Sequence, residues 1–316
     1  MNGDPKRLCD VLGIARPVLC APMAGIAGGR LAAAVSQAGG FGLVGGGYGN
    51  PTWIAEQMAE SSGSRVGIGL ITWNMADNAI ETVLAHSPAA VWLSFGDPAP
   101  YVASIAAANA RLICQVGSVA EAITAAEAGA DVIVAQGNES GGHGQSNRAL
   151  FGLLPAVVAA VGPIPVVAAG GIVGRQGYDA AVAFGASGVA LGTAFYASTE
   201  ALDADVAKQR LVDAGGDDTV RSVVYDIARG PEWPAEYSGR SLRTELTERW
   251  IGDEAEMRRH SEAIRESHRQ AAAESDMSVR VVWAGEGIDG ITGIRDAAEI
   301  VADFPAVGPS TAGGAQ

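Results

Sequence analysis

The 316-residue chain is poor in the residue types on which several kinds of chemistry depend. Its three cysteines, Cys9, Cys20 and Cys114, are scattered and odd in number, so they form neither a disulfide framework nor a metal-binding motif. The only lysines are Lys6 and Lys208, and neither lies at the end of a predicted strand. Schiff-base chemistry of the aldolase or pyridoxal-phosphate kind is therefore nearly excluded.

Charge and hydropathy exclude further classes of partner. The formal net charge of −14 argues against binding to nucleic acid or to an anionic membrane surface, because both repel an acidic protein. The chain has no uninterrupted apolar run of about 18 residues, which a membrane-spanning helix requires. Its first residues also lack the apolar region of a signal peptide. The sequence therefore predicts a soluble, cytoplasmic protein that acts on small molecules. A homodimer is compatible with it.

From residue 17 onward, short apolar runs alternate with glycine-rich turns and alanine-rich helical stretches. Several of the apolar runs are continuous, which is typical of parallel strands that are covered on both faces. Eight such units predict a (β/α)8 barrel. An open, doubly wound sheet is the alternative, but no Gly-x-Gly-x-x-Gly motif with an acidic residue about 20 positions later opens the first unit.

The positions of the elements follow from the same pattern. The predicted strands are 17–23, 42–46, 66–70, 90–96, 111–117, 131–137, 164–170 and 187–193. The predicted helices between them are 31–38, 52–61, 75–85, 99–108, 119–128, 149–161 and 176–184.

Beyond the eighth strand the composition changes toward dense mixed charge. We predict a barrel core with a cofactor site over residues 1–193, and a largely helical insertion over 194–290 that covers the barrel mouth. A closing helix over 291–308 and a disordered tail over 309–316 are predicted to follow.

The insertion is predicted to hold a helix over 201–214, an extended segment over 219–227 and a charged helical stretch over 242–274. The charged stretch is expected to be solvated and to lack a core of its own. Its two histidines, His260 and His268, are expected to be solvated, as is His86 at the end of an earlier helix.

The loops after the seventh and eighth strands carry the clearest functional signal. Gly170 and Gly171 lie at the end of the seventh strand, and Gly192 and Thr193 lie at the end of the eighth. Barrels commonly bind phosphate at these two loops, through backbone N–H groups and a helix N-terminus. The alternative is that the glycines only make tight turns, but the repetition of the pattern in both loops favours phosphate.

The stretch 136–144 follows the sixth strand and surrounds His143 with glycines. A histidine on such a loop is better placed for chemistry than for packing, although a purely structural role is the alternative. Asp97 and Glu139 are the only carboxylates at the strand ends, so metal catalysis is poorly supported. No Gly-x-Ser-x-Gly elbow or Cys/His pair is present. What remains is an organic cofactor anchored by its phosphate, with one histidine beside it.

With these residues collected, the chain resembles the nitronate monooxygenase family, formerly called 2-nitropropane dioxygenases. These are FMN-dependent (β/α)8 enzymes, related to the flavin-dependent enoyl-acyl-carrier-protein reductases. The resemblance covers about residues 15–200 and returns at 281–287. It rests on the motifs Ala21-Pro22-Met23-Ala24-Gly25, 136–144, Ala169-Gly170-Gly171-Ile172 and Leu191-Gly192-Thr193.

The resemblance implies a set of FMN-binding residues at the barrel mouth. The phosphate would be held by Gly170, Gly171, Gly192 and Thr193. The flavin ring and ribityl chain would contact Ala21, Pro22, Met23, Asn74, Gln115 and Gln136, and the backbone would pass close to the flavin at Gly141 and Gly142.

The resemblance also implies an activity: FMN-dependent oxidation of alkyl nitronates or nitroalkanes with O2. His143 would be the catalytic histidine, which takes a proton from the carbon beside a nitro group. One alternative is an NAD(P)H-dependent flavin reductase acting on quinones or enoyl thioesters. The other is a non-catalytic barrel that binds a phosphorylated ligand. The charged insertion would shape the substrate pocket, so the motifs leave the substrate itself open.

Overall fold

The computed structural model describes residues 3–61, 63–145, 147–230, 233–274 and 276–307. The strands in these ranges are β1 Val18–Cys20, β2 Leu43–Gly47, β3 Gly67–Ile71, β4 Ala90–Ser94, β5 Arg111–Val116, β6 Val132–Gln136, β7 Gly142–Gln145, β8 Val166–Ala169, β9 Gly188–Leu191, β10 Thr219–Ser222 and β11 Tyr237–Leu242. The first eight helices are α1 Pro5–Leu12, α2 Gly29–Gln37, α3 Pro51–Glu60, α4 Ala79–Leu84, α5 Val102–Ala107, α6 Val119–Ala128, α7 Leu150–Ala160 and α8 Arg175–Ala183. The later helices are α9 Thr193–Tyr196, α10 Asp205–Asp213, α11 Val224–Arg229, α12 Glu245–Trp250, α13 Glu254–Arg259, α14 Ser261–Ala273 and α15 Ala297–Ala302.

Eight parallel strands form a barrel, and each lies within a predicted strand or one residue beyond it. Their order around the sheet is β1-β9-β8-β6-β5-β4-β3-β2. A parallel bridge between Leu19 and Phe41 joins the two ends of this order, so the sheet closes on itself. The predicted (β/α)8 barrel is therefore confirmed, and the open doubly wound sheet is excluded. The strands are buried on both faces, as their continuous apolar runs predict.

Helix α1 closes the amino-terminal end of the barrel, and the strand pattern, which begins at residue 17, gave no sign of it. Asp4 caps the helix by accepting a hydrogen bond from the Lys6 N–H, and Gly13 ends it at φ 65°. Leu8 and Leu12 are fully buried and pack against the side chains that fill the barrel interior, among them Trp92.

Replacing Leu8 by alanine is expected to lower the free energy of unfolding by about 2–5 kcal/mol, because the substitution leaves a cavity under a closed barrel. Arg7→Ala, an exposed change on the same helix, should leave it nearly unchanged. Denaturant unfolding measures both, and an equal effect of the two substitutions would contradict the packing described for α1.

Residues 194–290, which were predicted to be largely helical, form two strands as well as helices. Strands β10 and β11 pair in antiparallel fashion, and β11 also pairs with β7, which lies in the stretch after β6. The prediction of an extended segment over 219–227 is right only for β10. Residues 224–229 form α11 instead, and Val224, Ile227 and Ala228 on this helix are buried. Their β-branched and apolar character suggested a strand, but their spacing buries one face of a helix.

The charged stretch over 242–274 has a small core, so the prediction that it lacks one is wrong. It forms α12, α13 and α14, and Met257 is fully buried against Val224, Ile227 and Ala228. His268 is buried as well, which contradicts its expected solvation. Charged residues occupy the outward faces of these helices, while the inward positions recur at helical spacing.

The remaining predictions concern two histidines, the closing helix and the tail. His260 is exposed and pairs with Glu256, and His86 is partly buried. Helix α15 lies within the predicted closing helix and contacts α2. The predicted tail, 309–316, lies outside the described residues. None of the helices in the described ranges has the length and apolar run needed to cross a bilayer.

Candidate active site

A cavity of about 370 Å³ lies at the carboxyl ends of the barrel strands, beneath residues of the insertion. Cavities of about 300–1,000 Å³ are typical of small-molecule sites. The predicted residues that line it are Ala21, Pro22, Met23, Gln115, Gln136, Gly141, Gly142, His143, Gly170, Gly171, Gly192 and Thr193. Asn74 does not line it: Asn74 is exposed at the end of the short 3-10 turn Thr72–Asn74.

The loop after β8 has the geometry of an anion-binding nest. Gly170 and Gly171 have φ angles of 114° and 67°, which side-chain-bearing residues rarely adopt. Within the described ranges, the N–H groups of Gly171 and Ile172 donate to no other group. Helix α8 follows, and Gly174 at its start provides no side-chain cap. Free N–H groups beside a helix N-terminus favour a phosphate or another anion.

The segment 283–287 packs directly on this loop. A Cβ placed on Gly287 would lie 2.1 Å from the carbonyl oxygen of Gly171, so only glycine permits the approach. The Gly285 N–H donates to the Thr193 hydroxyl at 3.0 Å. The insertion therefore supports both of the loops that were predicted to bind phosphate.

Two glutamines connect the barrel to the histidine strand. Gln115 Nε2 donates to Gln136 Oε1 at 3.0 Å. Gln136 Nε2 in turn donates to the carbonyl oxygen of His143 at 3.1 Å. Gln136 thus fixes the backbone that carries His143, in addition to lining the cavity.

His143 lies in strand β7, rather than in a free loop, and pairs with Gly239 of β11. Its Nε2 atom is 2.6 Å from Asp226 Oδ1. Its ring stacks on Trp233 with centroids 3.7 Å apart and planes 7° apart, and Trp283 lies on it at 5.1 Å. Only 12% of the side chain is exposed. These contacts fix both the position and the rotation of the imidazole in the cavity.

An aromatic wall, consisting of Tyr48, Phe95, Trp233 and Trp283, surrounds the histidine. Phe95 follows β4 with φ 66°, a strained conformation for a residue with a side chain, and its ring meets the Trp233 ring edge-on at 4.9 Å. Burial, followed by the charge of Asp226, raises the pKa of Tyr48, so its hydroxyl stays protonated and can donate a hydrogen bond. The rings of the aromatic wall give the imidazole largely apolar surroundings, in which Asp226 and the Tyr48 hydroxyl are polar groups.

Several residues that line this cavity were not predicted from the sequence: Tyr48, Asp226, Arg229, Trp233 and Trp283. Tyr48 follows the glycines at the end of the second predicted strand, so its position alone was a usable signal. The other four lie in the insertion. The insertion was predicted to cover the barrel mouth, but no role in the cavity was predicted for these four residues.

Two partly buried arginines, Arg221 and Arg240, hold the turn before His143. Arg221 Nη2 donates to the carbonyl oxygens of Asn138 and Ser140 at 3.0 and 2.9 Å. Burial, followed by the charge of Arg240, lowers the pKa of Arg221 to about 10, which still leaves it protonated at neutral pH. Arg240 forms an ion pair with Glu286 at 2.7 Å. These bonds join the insertion to the histidine strand.

Each of the two carboxylates that were identified at the strand ends accepts a hydrogen bond from a backbone N–H at the start of a helical segment. Both oxygens of Glu139 accept from the Leu150 N–H at 2.9 Å, at the start of α7. Asp97 Oδ1 accepts from the Ala99 N–H at 2.9 Å. The described part of the chain has no cluster of three or more His, Cys, Asp and Glu residues suited to a metal ion.

Comparison with known proteins gives one consistent set of similarities. The family model for nitronate monooxygenase matches residues 5–66 and 60–306. The nitronate monooxygenase npaC of Metarhizium robertsii is 36% identical over 306 residues, which cover 85% of this chain and 82% of that protein. The nitronate monooxygenase of Neurospora crassa is 31% identical over 341 residues, which cover 91% of this chain and 87% of that protein. The structure of FabK from Thermotoga maritima has 31% sequence identity and a TM-score of 0.84, covering 95% of this chain and 94% of FabK.

Proposed function

Because the chain belongs to the nitronate monooxygenase family, we propose that it oxidises alkyl nitronates and nitroalkanes with O2, using FMN. The observation that carries this proposal is the juxtaposition of a buried, oriented histidine with a glycine nest at the strand ends of a barrel. The histidine supplies a base, and the nest supplies an anchor for a phosphorylated cofactor.

The nest after β8 fits the phosphate of FMN. The free N–H groups of Gly171 and Ile172 would bind phosphate oxygens, with Gly170, Gly192 and Thr193 beside them. Ala21, Pro22, Met23, Gln115 and Gln136 line the same cavity and would contact the rest of the cofactor, with Gly141 and Gly142 allowing a close backbone approach. The exposed position of Asn74 makes it a poor candidate for this set. When bound, FMN would supply the redox chemistry, the transfer of electrons from the substrate to O2.

The protein's own residues would act on the substrate in three ways. The His143 imidazole would take a proton from the carbon beside the nitro group of a neutral nitroalkane. The aromatic wall would take the alkyl substituent and exclude water. The Tyr48 hydroxyl would donate a hydrogen bond to a nitro oxygen. A nitronate is already deprotonated, so for this substrate the base would not be needed.

Oxygen uptake tests the proposal. The FMN-loaded protein is supplied with an alkyl nitronate in one cell and with NADPH plus an enoyl thioester or a quinone in another. We expect oxygen uptake with the nitronate and no NADPH consumption beyond a control with free FMN. NADPH consumption together with inertness toward nitronates would contradict the proposal.

A second candidate is an NAD(P)H-dependent reductase of enoyl thioesters or quinones. The likeness to FabK over nearly the whole chain favours it, since the family resembles the flavin-dependent enoyl-acyl-carrier-protein reductases. In that case, His143 would donate a proton to the substrate instead of accepting one. A preparation that stays colourless when FMN is added would favour neither enzyme, but a barrel that binds another phosphorylated ligand.

A further inference from the structure

The two ring nitrogens of His143 differ in their surroundings. Nε2 is 2.6 Å from Asp226 Oδ1, whereas Nδ1 makes no hydrogen bond within the described ranges. We propose that Asp226 is a positioning residue, which holds the Nε2–H and thereby presents Nδ1 as the nitrogen that takes the substrate proton. This inference rests on the proposed function.

The hydrogen-bond partner determines the tautomer. An ionised carboxylate only accepts hydrogen bonds, so the Nε2 atom that faces it carries the ring proton of a neutral imidazole. The lone pair is then on Nδ1. Trp233 and Trp283 hold the plane of the ring, and Asp226 prevents the rotation that would exchange the two nitrogens.

Asp226 is itself held rigidly. It lies on α11, between residues that pack into the small core of the insertion, and only 6% of its side chain is exposed. Its second oxygen, Oδ2, is buried and has no hydrogen-bond partner among the described residues. Arg229, three residues later on the same helix, lines the same cavity and supplies the opposite charge nearby. The Asp226 carboxylate is therefore held in place to accept the hydrogen bond from His143.

In the proposed step, a proton moves from the substrate carbon to His143. The C–H bond beside the nitro group breaks, its electron pair stays on the carbon as the nitronate, and the proton forms a new N–H bond at Nδ1. The imidazolium and Asp226 then form an ion pair in a buried site, where their attraction is stronger than in water. Asp226 thus stabilises the product of the proton transfer, without touching the substrate.

The test uses Asp226→Asn in the FMN-loaded protein, with a neutral nitroalkane and its preformed nitronate as separate substrates. We expect kcat on the nitroalkane to fall about 10²-fold or more, because asparagine cannot hold the imidazolium or enforce the tautomer. Turnover of the nitronate, which has already lost this proton, should change little. Asp226→Glu should recover part of the loss, and Asp253→Asn, an exposed change in the insertion, should alter neither rate.

An equal loss on both substrates would show that Asp226 is merely structural, and an unchanged nitroalkane rate would also overturn the inference. A second readout does not depend on activity. ¹⁵N-histidine NMR of the wild-type protein, with the His143 signal assigned by its absence in His143→Gln, should show the Nε2–H tautomer. An Nδ1–H tautomer would refute the inference even if nitronates are turned over. Failure of the wild type to oxidise nitronates would instead refute the proposed function.

Discussion

Replacing His143 by alanine is expected to lower kcat on neutral nitroalkanes by about 10²-fold or more, while the fold and the bound FMN are retained. The imidazole is held by Asp226 and by two tryptophan rings, and it lines the cavity beside the glycine nest. Its removal takes away the imidazole that is proposed to accept the substrate proton, but it leaves the phosphate-binding loops untouched. Oxygen uptake measures the loss, and flavin absorbance measures FMN retention.

His260→Ala is the matched control for this variant. His260 is exposed in the insertion and pairs only with Glu256 among the described residues, so its loss should leave turnover unchanged. Undiminished turnover of a neutral nitroalkane by His143→Ala would remove His143 from the proposed chemistry. A variant that loses its FMN would instead show that His143 supports the cofactor site.

Gly171→Asp is expected to abolish FMN retention. The residue has a φ of 67°, and a Cβ at this position would be 3.3 Å from the Cβ of Glu139, so a side chain here is crowded. Its carboxylate would also meet the phosphate dianion in a nest built to bind an anion. The flavin absorbance of the purified protein, relative to its absorbance at 280 nm, measures retention.

Two further variants separate charge from backbone strain at this position. Gly171→Ala imposes the same strained backbone without charge and should keep part of the FMN. Gly152→Asp adds the same charge at an exposed glycine with open space around it and should keep all of it. A fully yellow Gly171→Asp protein would contradict the assignment of the phosphate to the loop after β8.

The barrel could be predicted from the sequence because its signal is local. Each strand is a continuous apolar run that ends in a glycine-rich turn, and eight such runs leave few alternatives. Strand β7 could not be predicted in this way. Its sequence, Gly142-His143-Gly144-Gln145, has no strand pattern, and it becomes a strand only because β11 arrives from about a hundred residues later.

The same difference, between local signals and contacts from distant parts of the chain, decides which residues of the candidate site could be predicted. The residues at the strand ends could be predicted, since parallel strands in a barrel direct their carboxyl ends to one face. Asp226 and Trp233 could not, because their contact with His143 depends on how the insertion folds back over the barrel. Asp226 also lay in a segment whose β-branched residues suggested a strand. The roles of all these residues in binding and catalysis stay predictions.

The sequence predicted no role in the site for the charged residues of the insertion. Only the stretch 242–274 was predicted to be solvated, and Arg221 and Arg240, which precede it, use their guanidinium groups to hold the backbone before His143. We therefore propose that residues 194–290 complete the active site as well as covering it, so that substrate preference within the family depends on this region.

Anaerobic mixing of the FMN-loaded protein with a simple alkyl nitronate tests the central claim most directly. The flavin absorbance is followed after mixing, and a parallel cell receives NADPH in place of the nitronate. The proposed function predicts bleaching of the flavin by the nitronate and no change with NADPH. Bleaching by NADPH alone would contradict it, and the protein would then be a flavin-dependent reductase.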